Sequence, residues 1–111
     1  MNIEIESRAD VKVVTLNGEL TGEEEGAELV LTVDDALAKR GARAVIDMSQ
    51  VAYISSTGIS ALVRIVAKAN TQEQRVVFAS PAPLVAGVLE TTRLDKFFEI
   101  FPSVDEAVGA I

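Results

Sequence analysis

From Arg43 onward the chain alternates β-branched runs with amphipathic stretches, and that order leaves few architectures open to it. "ARAVIDM" reads as a short strand ending at Asp47; after a connecting segment, Gly58 to about Asn70 turns helical, with Ile59, Leu62, Val63 and Val66 on one face and Arg64 and Lys68 on the other. "RVVFAS" is a buried-type strand, "PAPLVAGVLETTR" a helix opened by Pro81 and Pro83, "FFEIF" a last short strand and "PSVDEAVGAI" a terminal helix. Such alternation pairs strands in parallel through right-handed crossovers, under helices that cover the sheet.

The segment ahead of Arg43 adds an antiparallel portion. "NIEIES" alternates Ile3 and Ile5 with Glu4 and Glu6, and "VKVVTLNG" follows across Arg8, Ala9 and Asp10, which predicts a hairpin whose first strand is half exposed. "TGEEEGAELVLTVDDALAKRG" then predicts a helix: Thr21 and Glu24 have capping-box spacing, Glu23 to Glu25 suit the first turn, and Lys39, Arg40 and Gly41 suit the end. Ala27, Val30, Val33 and Leu37 form its expected apolar stripe. The fold class is therefore α/β, a central, mostly parallel mixed sheet of about five strands with an N-terminal hairpin and helices packed against it. At 111 residues it is expected to form one domain, 1–111.

Composition limits the chemistry. Without cysteine or histidine the chain has no thiol nucleophile, no disulfide and neither of the commonest metal ligands, so no metal site and no cofactor are expected. A formal charge of -7 argues against a nucleic-acid partner, whose affinity draws on Lys and Arg. No apolar run approaches the roughly 20 residues that span a bilayer, and "MNIEIESRAD" lacks the basic and apolar segments of a signal peptide, so the expected location is cytoplasmic with no membrane partner.

The chemistry that remains concentrates in Ile54-Ser55-Ser56-Thr57-Gly58-Ile59-Ser60, which falls beyond the carboxyl end of a strand and at the start of a helix, where functional groups gather in such sheets. Four uses compete. One hydroxyl suffices to cap the helix. A phosphate-binding loop of the kind flavodoxins use for their flavin would sit after the first strand and beside aromatic cover, and this run follows a hairpin, a helix and a further strand in a chain with one Tyr and no Trp. A nucleophile needs a base within reach; histidine is absent, and only a carboxylate such as Asp47 stands near in the sequence. The fourth use is as a phosphate acceptor.

The string "VIDMSQVAYISSTGISALVRIVAKA", preceded by "LNGELTGEE" and followed by "VVFASPAPLVAGVLETTRLDKFFEIFPSVDEA", resembles the STAS domain of bacterial anti-sigma-factor antagonists, from about Val14 to Ala107. Its specific parts are Gly18-Glu19-Leu20, the Asp47-x-Ser49-x-Val51 turn, the hydroxyl-Gly58 helix start, and Leu94, Phe97 and Phe98 before the last strand, three residues that read as core. The resemblance implies a STAS-like fold and a binding module rather than an enzyme. It implies an anti-sigma factor serine kinase and a serine/threonine phosphatase as partners, with Thr57 as the phosphorylated residue and Ser56 as the alternative. The implied contact surface comprises Thr21, Ser49, Tyr53, Ser55, Ser56, Thr57, Gly58 and Ser60. The family usually carries aspartate where this chain has Thr21 and Ser55. Its other implied role is a non-phosphorylated interaction scaffold in a sensor or transport-accessory complex.

Overall fold

The computed structural model describes residues 1–111. Two strands open the chain, β1 (Asn2–Arg8) and β2 (Val11–Leu20), paired antiparallel. Ala9 and Asp10 between them both take positive φ, the conformation of a two-residue turn whose twist matches the strands it joins. Then come α1 (Glu23–Ala36), β3 (Arg43–Ile54), α2 (Ser56–Thr71), β4 (Arg75–Ala79), α3 (Pro83–Thr91), a short 3-10 turn (Leu94–Lys96), β5 (Ile100–Phe101) and α4 (Val104–Ala110). The strands lie in chain order, β1-β2-β3-β4-β5, with every pairing after the hairpin parallel. This is the α/β mixed sheet expected from the alternation.

Both faces of the sheet are covered. Val14, Leu16, Ile46 and Phe78 pack under α1, α2 and α3 around Leu29, Val33, Leu62, Ile65, Val85 and Leu89. The intervening residues Val11, Val45, Val77 and Ala79 meet Ala107 of α4 on the other side. Burial on both faces explains why β3 and β4 read as apolar runs rather than alternating ones. β1, at the edge, keeps only Ile3 against the core and leaves Ile5 exposed.

Three expectations are corrected. β3 does not stop near Asp47: it continues to Ile54, hydrogen-bonded to β2 alone, since its pairing with β4 ends at Asp47 opposite Ala79. Two bulges on β3 accommodate the extra length, and at the first the Ser49 N–H donates to Asp47 Oδ1 at 3.0 Å. The Asp47–Ser49 turn thus exists inside a strand. Secondly, α1 stops at Ala36 and buries Gly26, Leu29 and Val33; Val33 and Leu37 of the expected stripe are buried, Val30 is partly buried, and Ala27 is exposed. Thirdly, of the three residues expected in the core, Phe98 is buried 4.7 Å from Phe78 and Leu94 packs partly, but Phe97 is 49 % exposed, and neither phenylalanine belongs to β5. Arg75 and Glu99 form a two-bond ion pair that ties β4 to the approach of β5 and holds the Glu99 carboxyl below its ordinary value.

Candidate functional site

The hydroxyl run forms the first turn of α2, two residues earlier than the Gly58 start read from the sequence. Ser55 is the N-cap. Its hydroxyl accepts from the Gly58 N–H at 3.2 Å and donates to the Thr21 carbonyl at 2.9 Å, while its own N–H donates to the Leu20 carbonyl at 3.1 Å. One side chain therefore caps the helix and stitches it to the end of β2. A carboxylate there could accept from Gly58 but could not donate to Thr21, so the hydroxyl suits this backbone better than aspartate would. Ser55→Ala is expected to lose about 1–2 kcal/mol of unfolding free energy and Ser55→Asp less, because the cap survives; urea denaturation checks both.

Gly58 is buried in that first turn, and a Cβ added to it would meet the Leu20 carbonyl oxygen at 2.2 Å. The remaining hydroxyls differ in use. Ser60 donates to the Ser56 carbonyl at 3.0 Å, while the side chains of Ser56 and Thr57 make no hydrogen bond. Ser56 is exposed and Thr57 half-buried. Within the first turn only the N–H groups of Gly58 and Ile59 are bonded to the cap residue, leaving those of Ser56 and Thr57 free at the positive end of the helix dipole.

Thr21 does not cap α1. The N-cap is Gly22, whose N–H donates to Glu25 Oε1 at 2.9 Å; having no side chain, Gly22 cannot return the bond, so only half of a capping box forms, one residue later than Thr21 and Glu24. Thr21 serves α2 through its carbonyl instead. The structure thus brings Thr21, Ser55, Ser56, Thr57, Gly58 and Ser60 together. Tyr53, 47 % exposed, stands two residues upstream on β3. Ser49 lies apart, at the bulge six residues before Ser55.

Helices α1 and α2 run in the same direction, with Asp34 bonded to Lys68 at 2.9 Å and Gly26 so close to Ala61 that an added Cβ would come within 3.2 Å. Both helix starts therefore share one end of the molecule. Between them a groove of about 450 Å³ is lined by Glu23, Ala27, Thr57, Ser60 and Arg64. Glu23 and Arg64 were read from the sequence only as a first-turn acid and an outward-facing cation. Helical spacing from Thr57 would have found Arg64; Glu23 comes from another helix, and no local pattern reports it. A larger depression of about 620 Å³, lined by Lys12, Lys39, Arg40 and Arg43, lies at the opposite end of the sheet, where cations complement the carbonyl end of α1.

The STAS domain family model matches residues 2–107. A putative anti-sigma factor antagonist from Thermotoga maritima superposes with a TM-score of 0.88 at 24 % identity, covering 98 % of this chain and 93 % of that one. An anti-sigma factor antagonist from Mycobacterium paratuberculosis superposes with a TM-score of 0.83 at 26 % identity, covering 99 % and 92 %. The Bacillus cell fate determinant SpoIIAA in its phosphorylated form does so with a TM-score of 0.72 at 16 % identity, covering 98 % of each chain.

Proposed function

The chain belongs to the STAS domain family, and from that membership together with the free hydroxyl of Thr57 we propose that it is an anti-sigma-factor antagonist switched by phosphorylation. Unphosphorylated, it binds an anti-sigma factor serine kinase in the cytoplasm; phosphorylated on Thr57, it lets go, and a serine/threonine phosphatase resets it. It acts as a binding module, not an enzyme, within one domain. The observation that carries this reading is the contrast along the start of α2: Ser55 and Ser60 are tied to carbonyls, whereas the hydroxyls of Ser56 and Thr57 are free beside unbonded N–H groups, and of these two Thr57 directly precedes the buried Gly58. A phosphate added there brings about -1.5 to -2 charge and three acceptor oxygens to the end of a helix that favours anions. The domain need not refold to respond.

The contact surface in this reading is the start of α2 with its surroundings, Thr21, Tyr53 and residues 55 to 60, with Ser49 on its margin. Tyr53 supplies an exposed aromatic of the kind that anchors protein interfaces. Phosphate pressed into a complementary partner surface meets a steric clash and loses solvation. The absence of aspartate at positions 21 and 55 does not leave the acceptor without a carboxylate nearby, because Glu23 lines the same groove.

The test is intact mass after incubation with the cognate kinase and ATP. Wild type and Ser56→Ala are expected to gain one phosphate and Thr57→Ala none. A phosphate retained by Thr57→Ala moves the site elsewhere, and no phosphate on any of the three sinks the switch and favours a constitutive scaffold.

A further inference from the structure

The geometry points to Arg64 as the residue that receives a phosphate carried on Thr57, an assignment that rests on Thr57 being the acceptor. Thr57, Ser60 and Arg64 follow the i, i+3, i+7 spacing of one helical stripe, and all three line the groove between α1 and α2. Arg64 stands about 10 Å of helix rise beyond Thr57. Long side chains on a helix lean back toward its N-terminus, which for Arg64 is the direction in which Thr57 lies. Its guanidinium is uncommitted: the ion pairs of the molecule are Arg8–Asp105, Arg40–Glu73, Lys68–Asp34 and Arg75–Glu99, so Lys68, one turn further along, is taken while Arg64 is not.

The titratable groups facing the groove are then Glu23 from α1 and Arg64 from α2. With Thr57 bare, their charges balance. A phosphate upsets that balance: Glu23 repels it from the α1 side, and the planar fork of Arg64 offers paired donors along α2. The phosphate is drawn along its own helix, so part of its charge is answered within the chain and does not depend on a partner.

Phosphothreonine installed at position 57 during translation tests this without any kinase, by phosphorus NMR titration of the second phosphate ionisation, which lies near pH 6 in an isolated group. A neighbouring cation favours the dianion and lowers that pKa, so Arg64→Ala is expected to raise it by about 0.5 or more, Arg64→Lys by less, and Glu23→Gln to lower it. An ionisation that does not move in Arg64→Ala overturns the assignment. A kinase that ignores Thr57 would overturn the acceptor reading and leave this titration unaffected.

Discussion

Gly58→Ala unfolds at a clearly lower urea concentration than the wild-type chain, with a loss of about 2–3 kcal/mol. Propensity alone predicts the opposite, since alanine in a helix interior is better than glycine by about 1 kcal/mol. The new Cβ, however, would lie 2.2 Å from the Leu20 carbonyl oxygen, 2.9 Å from Leu20 Cγ and 3.0 Å from Ile54 Cγ1. That oxygen cannot withdraw easily, because it also accepts the Ser55 N–H. Either α2 lifts from β2 and breaks the Ser55 bonds, or the end of the β2–β3 ladder shifts; both cost more than the propensity gain. Gly87→Ala in α3 is the matched control: nothing lies within 4 Å of its added Cβ, and it is expected to gain about 0.5–1 kcal/mol. If Gly58→Ala proves as stable as the wild type, the contact between α2 and Leu20 is softer than the geometry indicates.

Phosphothreonine at position 57 is expected to weaken binding to the anti-sigma factor about a hundredfold, equivalent to about 2.8 kcal/mol. Isothermal titration of the unmodified and modified chains with that partner measures it. Thr57→Ala should bind within a few-fold of the wild type and fold with unchanged stability, because the hydroxyl it removes has no partner in the structure. Thr57→Glu should fall between, since a carboxylate carries less charge than phosphate and has a different shape. Equal affinity for the modified and unmodified chains would remove the switch while leaving the family assignment and the contact surface intact.

Much of this architecture was legible in the residues themselves. The alternation after Arg43 gave the parallel sheet, and the position of the hydroxyl run between strand and helix located the candidate site. What escaped local reading depended on partners distant in sequence. Asp47, Ser49 and Gln50 look like the end of a strand, yet β2 runs alongside them and two bulges keep the ladder going to Ile54. The cap of α1 is Gly22 and not Thr21, whose carbonyl instead accepts from Ser55, 34 positions away. Phe97 looks like core beside Phe98, but the 3-10 turn before the pair sends one ring inward and leaves the other half in solvent. Glu23 beside Thr57 required knowing that α1 and α2 start at the same end, a property of the crossovers and not of either helix.

The division of labour within the first turn of α2 bears on how such a chain can evolve. Ser55 and Gly58 are bound into the meeting of α2 with β2, and Ser55→Ala or Gly58→Ala is expected to cost stability. Thr57, lying between them, touches no such constraint. A lineage could therefore acquire or discard the proposed acceptor by one substitution at position 57 with the scaffold unharmed, and descendants with and without a phosphorylatable residue would share one backbone.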